Sequence, residues 1–129
     1  MSPSFSTEAV PQLGTALLEL LPEQGSFELQ HDQPGKVHDW HHHSLDEELF
    51  ILRGEALLFW VDENGEYRHQ YCERGTWITL TKGTRHGSVA GPEGAVYMIR
   101  PQNGRSAITT FLAPTEHPRP APAFARATV

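Results

Sequence analysis

Residues 35–54 read GKVHDWHHHSLDEELFILRG, and the alternation within this stretch decides the architecture. On a strand successive side chains point to opposite faces, so His41 and His43 share one face and His42 takes the other. Ser44, Leu45 and Asp46 can reverse the chain, which brings Glu47 back beside the two imidazoles on the next strand. From Glu47 the same-face positions are Leu49 and Ile51, an interior line. A carboxylate entering an apolar interior is costly unless it is paired or metal-bound. By the same parity Glu48 faces away. Asp39 shares the parity of His41, as a group behind the imidazole or at a solvent-facing strand end. Two imidazoles and a carboxylate on the inner face of two antiparallel strands form a candidate metal site.

Working outward, further short segments rich in Val, Ile, Phe, Trp, Tyr or Thr occupy 26–31, 36–43, 47–52, 56–61, 67–73, 77–80, 86–90, 95–100 and 107–112. Turn signals separate them at 32–35, 53–55, 62–66, 74–75, 82–84 and 91–94. Residues 14–21, GTALLELL, fit a helix or a buried strand; their short span between Gly14 and Pro22 favours a strand. About ten short strands with closely spaced turns predict an all-β antiparallel sandwich or barrel. Residues 1–12 read as a loose lead-in and 13–113 as the single domain. Residues 114–129, PTEHPRPAPAFARATV, carry four prolines and cannot donate regularly to a ladder. They are expected to form an extended tail, either free or lying as an arm across a neighbouring subunit with Phe124 as anchor.

Composition narrows the function. The chain has 129 residues and a formal charge of −6 from 10 basic and 16 acidic side chains, which disfavours nucleic acid as a partner. No apolar run approaches the roughly 18–20 residues that span a bilayer, and the first residues show no signal-peptide pattern. A soluble cytoplasmic domain with no membrane partner is the expectation. The single cysteine, Cys72, forms no internal disulfide and fits a small buried residue better than a nucleophile. Histidine is the oddity: five of the eight lie between His31 and His43. A solvated loop accounts for many such runs, so spacing has to decide. A further ligand from a distant strand is needed, and His86, after the turn at Gly83, is the candidate. His31, His69 and His117 lack such a context and read as solvated.

The spacing resembles the cupin family. The first cupin motif, G-x5-H-x-H-x3,4-E-x6-G, is matched at Gly35, His41, His43, Glu47 and Gly54. The second, G-x5-P-x-G-x2-H-x3-N, is matched at Gly75, Gly83 and His86, with Thr81 in place of the proline and Ala90 in place of the asparagine. The resemblance implies a double-stranded β-helix, or jelly roll, with His41, His43, Glu47 and His86 as ligands of one divalent metal ion. The two departures touch turn stiffness and a strand end rather than the ligands.

Three imidazoles and a carboxylate suit Fe(II), Mn(II), Ni(II), Co(II) or Zn(II). Fe(II) is favoured because similar cupins often use it in dioxygenase reactions. Leu49, Ile51, Ile78 and Leu80 are expected to line a pocket for a small organic substrate. The expected function is a metal-dependent, dioxygenase-like oxidoreductase. The alternatives are a non-oxidative isomerase or decarboxylase and a non-catalytic sensor or accessory module. No acid–base pair beyond the ligands can be picked out. Arg85 and Arg100 read as solvated strand-end residues that could otherwise pair a carboxylate. Trp40, opposite in parity to His41, suggests an oligomer contact, and with open sheet edges it predicts a homodimer.

Overall fold

The computed structural model describes residues 2–12, 15, 26–102 and 107–125. Among the described residues eight strands carry the fold: β1 (Ser4–Thr7), β2 (Glu28–Asp32), β3 (Val37–His43), β4 (Glu47–Val61), β5 (Tyr67–Glu73), β6 (Thr76–Leu80), β7 (His86–Pro101) and β8 (Thr109–Phe111). All pairings among them are antiparallel, in the order β1-β6-β4-β7-β3-β8, with β2 on β7 and β5 on β4. The all-β expectation holds. Residues 14–21, expected to be a strand, lie outside the described residues apart from Thr15. Residues 4–7, placed by sequence in a loose lead-in, pair with β6 instead as an edge strand.

Two turn signals do not end their strands. The segments expected at 47–52 and 56–61 are one 15-residue strand, and those at 86–90 and 95–100 are one 16-residue strand. Both long strands bend where Gly54 pairs with Ala95 and Ala56 with Ala90, so that Glu55 of β4 and residues 91–94 of β7 drop out of the ladder between the two strands. Gly54 and Gly94 have φ of 77° and 78°, and a Cβ on Gly54 would lie 2.1 Å from the Gly94 carbonyl oxygen. The glycines serve a bend with close backbone approach rather than a hairpin end.

The bend reverses parity along β4. Before it Glu47 and Ile51 face the barrel interior; after it Ala56, Leu58 and Trp60 do, joined there by Ile78, Leu80 and Tyr97. The opposite face is buried too. Phe50 and Met98 lie under Val10, Phe27 and Trp77, whereas Trp40, Phe59 and Val61 lie under Leu112 and Ala121.

The second cover is the proline-rich tail, which packs on its own chain. After a 3-10 turn at Pro114–Glu116, the Arg119 carbonyl accepts the Trp40 indole N–H at 2.7 Å and the Arg119 guanidinium sits 4.1 Å over the Tyr67 ring. Farther on, Phe124 meets Tyr71 edge-on at 5.2 Å, and the Tyr71 hydroxyl donates to the Ala125 carbonyl. Trp40 is 0% exposed, so it is a core residue and not an oligomer contact. Deleting residues 114–129 should cost roughly 2–4 kcal/mol by uncovering this cluster. The expected result is a lower urea midpoint and stronger binding of an apolar dye; an unchanged midpoint would mean that the tail only rests on the surface.

A candidate metal centre and its cavity

His41 and His43 leave β3 on the same face, and His86, the first residue of β7, pairs across the ladder with His41. Their ring centroids are 4.3 to 5.0 Å apart, and one ring nitrogen of each lies within 4.8 Å of the others. The loops before β4 and β7 hold this corner together. Asp46 Oδ1 accepts the Lys82 N–H at 2.7 Å, and the Gly83 N–H donates to the His43 carbonyl at 3.1 Å. The substituted motif positions are absorbed locally: the Thr84 N–H closes the turn on the Thr81 carbonyl at 3.1 Å, and Ala90 is buried in the core.

Each imidazole is held through Nδ1. His41 Nδ1 meets the Asp39 carbonyl, His86 Nδ1 the Thr84 carbonyl at 2.8 Å, and His43 Nδ1 the Thr109 hydroxyl at 3.1 Å. A proton on Nδ1 donated to a carbonyl leaves the Nε2 lone pair of His41 and His86 free to bind an ion. Glu47 approaches from β4, with Oε1 3.3 Å from His43 Nε2, but lies outside the tight three-histidine group.

Burial governs the protonation states. It lowers the pKa of His41, lowers that of His86 well below 6.5 and takes His43 to about 4, with the neighbouring imidazoles adding to the effect. The same burial, with Glu28 nearby, raises Glu47 to about 7. His43 and Glu47 shift in the directions opposite to those of an ion pair, so their 3.3 Å contact does not stabilise either charge. Neutral imidazoles fit a bound dication, which needs unprotonated nitrogen ligands and would draw the Glu47 carboxyl to its ionised form.

A stability profile follows. A histidine whose folded pKa is depressed leaves the unfolded state binding more protons, so stability is lost as pH falls below about 6.5. Glu47, raised in the fold, acts oppositely between 4.5 and about 7, but one carboxyl works against three imidazoles. The metal-free protein should therefore lose melting temperature as pH drops from about 6.5 to 4.5. A flat profile across that window in a thermal-melt series would contradict neutral buried rings.

The three histidines and Glu47 line a cavity of about 300 Å³ whose walls include Leu49, Ile51, Ile78 and Leu80, the interior line expected from sequence, with Leu58 and Ile99. Trp40 and Trp77 do not line it, and Trp60 belongs to the core cluster behind it. Arg100 turns outward, bonding Glu48 at 3.0 Å and stacking over Trp77, and Arg85 is exposed. Cys72 is fully buried. His31 and His69 are exposed as expected, whereas His117 is half-buried and bonds the Leu112 carbonyl at 3.2 Å.

Sequence reasoning missed four residues beside the cavity. Asp32, buried at the end of β2, is bonded to His38, Gln30 and Tyr97, and the last three line the cavity. His38 has the wrong parity to share a face with His41, but the β3–β7 register shifts between them, which brings both to the cavity. The available signal was Asp39, whose side chain accepts the Trp40 N–H at 2.8 Å; a local side-chain bond of this kind competes with a regular ladder.

Solved structures with the same architecture identify the fold. Recombinant pro-11S globulin of pumpkin superposes with a TM-score of 0.63 at 19% identity, over 86% of this chain and 28% of that one. Pumpkin seed globulin gives 0.62 at 19% identity, over 67% and 23%. The chain has the cupin fold. A Bacillus subtilis oxalate decarboxylase, described with Mn(II) centres, superposes with a TM-score of 0.54 at 22% identity, over 75% of this chain and 24% of that one. The chain spans about a quarter of the length of these cupins. No protein-family model and no curated protein sequence matches it.

Proposed function

We propose that this cupin is a metal-dependent enzyme in which His41, His43, His86 and Glu47 hold one divalent transition-metal ion, Fe(II) in the favoured case, and that it oxygenates a small organic substrate. The observation that supports this most is the set of three converging imidazoles, each fixed through Nδ1, in the lining of a largely apolar cavity. A bound ion supplies Lewis acidity and, as iron, the redox step. The chain's own residues orient the ligand nitrogens, hold the Glu47 carboxylate against them and keep water away from the apolar part of a ligand. A non-oxidative reading, decarboxylation or isomerisation with Mn(II), is favoured by the oxalate decarboxylase likeness. A cytoplasmic setting and a homodimer complete the proposal. The exposed Ile108 and Phe111, at 71% and 64%, support an edge contact by β8; a monomer mass by light scattering would reject the dimer.

The deciding experiment is anaerobic purification and loading with Fe(II) or Mn(II). Oxygen uptake and CO₂ release are then measured with catechols, diketones, thiols and hydroxy acids. Substrate-dependent oxygen uptake with iron supports the oxygenase. CO₂ release without uptake selects the second reading, and metal retention without turnover selects a binding role. Glu47→Gln should weaken metal affinity at least about tenfold while leaving the fold intact. Glu48→Gln, on the Arg100 side, should leave affinity unchanged. Equal small effects in metal titrations would remove Glu47 from the ligand set.

A further inference from the structure

Asp32 is 4% exposed and does not itself line the cavity; it stands behind three side chains that do. The Tyr97 hydroxyl donates to Oδ2 at 2.9 Å, the Gln30 amide donates to Oδ1 at 3.1 Å, and His38 Nε2 meets the same Oδ1 at 2.9 Å. Gln30 and Tyr97 are cross-strand partners of β2 and β7, while His38 reaches the group from β3 through the register shift. Burial alone would raise the Asp32 pKa, but these hydrogen bonds outweigh it and hold the carboxyl below its ordinary 3.8. An ionised carboxylate only accepts, so all three neighbours direct a donor at it. A singly protonated His38 ring then carries its hydrogen on Nε2 and keeps Nδ1 as an acceptor. Gln30 keeps its carbonyl oxygen and one amide hydrogen, and Tyr97 keeps its oxygen lone pairs. Glu28, on the same strand as Gln30, adds a further acceptor to the cavity lining.

We propose that Gln30, His38 and Tyr97, oriented by Asp32, form a second recognition pole that receives a hydrogen-bond donor, a hydroxyl or an amine, on a ligand anchored at the three-histidine centre. The anchoring rests on the metal reading above; the pole itself rests on the Asp32 network. A methyl group in that place leaves the acceptors unpaired, and a carboxylate faces the His38 and Tyr97 acceptors with only the remaining Gln30 amide hydrogen to offset them. Asp32 is a positioning residue, because it acts on the ligand only through the three side chains in front of it.

The test uses the full chain loaded with redox-silent Zn(II) and probes whose hydroxamate head chelates the metal. The probes are acetohydroxamate and short alkyl hydroxamates of matched lengths ending in hydroxyl, methyl or carboxylate. Calorimetry should find the best hydroxyl-terminated probe about tenfold tighter than its methyl analogue, with the carboxylate weakest. Asp32→Asn should abolish that preference while zinc content and acetohydroxamate affinity stay unchanged. Tyr97→Phe, which keeps the ring and removes one acceptor, should shrink it, and decides the matter if Asp32→Asn fails to fold by circular dichroism. Equal affinities of hydroxyl and methyl probes at every length, or an undiminished preference in Tyr97→Phe, overturns the pole. If zinc is not retained and acetohydroxamate does not bind, the metal reading is what has failed. The pole is then read on the metal-free protein by the imidazole NMR signals of His38. A shift with the hydroxyl probes alone supports it, and no shift, or the same shift with the methyl probes, overturns it.

Discussion

His86→Ala is expected to yield a folded protein that no longer retains a divalent metal ion loaded onto it. His86 is 4% exposed and its ring nitrogen lies within 4.8 Å of those of His41 and His43, so its loss removes one of the three closely grouped donors among the described residues. Binding should weaken by at least about a hundredfold, more than the ten- to hundredfold typical of losing an outer-shell partner. The folding penalty is bounded: the Thr84 carbonyl loses its imidazole partner, which costs about 1–3 kcal/mol, short of unfolding the domain. His43→Ala should do the same to the metal, whereas His42→Ala, on the other face of β3, should leave metal content alone. Elemental analysis after gel filtration separates these cases, and undiminished metal in both His86→Ala and His43→Ala would eliminate the assignment.

The second large effect concerns the bend. Gly54→Ala forces a side chain into φ of 77° and places its Cβ 2.1 Å from the Gly94 carbonyl oxygen. Left-handed backbone costs a non-glycine residue about 1–2 kcal/mol, and pushing β4 away from β7 adds to it. A total loss of about 4 kcal/mol or more is expected, in the range reserved for mutations that break a specific structural device. Gly65→Ala is the control, because Gly65 has the same φ of 77° and nothing within 4 Å of its would-be Cβ. It should lose only about 1–2 kcal/mol in urea unfolding. Equal losses at the two positions would show that backbone conformation, not close approach, is what Gly54 supplies.

Much of the candidate site's geometry was legible because spacing carries it: His41, His43 and His86 converge as expected. The i, i+2 relation of His41 and His43 survives any β geometry, and Glu47 and His86 each open a strand, where register has not yet drifted. The turn signals at 53–55 and 91–94 were harder, since a glycine needing positive φ looks the same at a hairpin and at a bend within a continuing strand. Alternation failed at two such irregularities. The shift between His38 and His41 hid His38, and through it Asp32, Gln30 and Tyr97. Trp40 misled for a different reason: parity placed it on the outer face, but nothing local to it reveals that a tail returns to cover that face.

That return has a consequence for how the protein is made. The hydrogen bond from the Trp40 indole reaches a carbonyl 79 residues later in the chain. While the polypeptide emerges from the ribosome, strands β3 to β5 are complete long before residues 114–125 are available. During that interval Trp40, Phe59 and Val61 present an oily outer face to the crowded surroundings of the nascent chain. Contacts so distant in sequence form late and leave apolar surface open to misassociation. A chain stopped before residue 114 should therefore retain the three-histidine corner and yet need a chaperone to stay in solution.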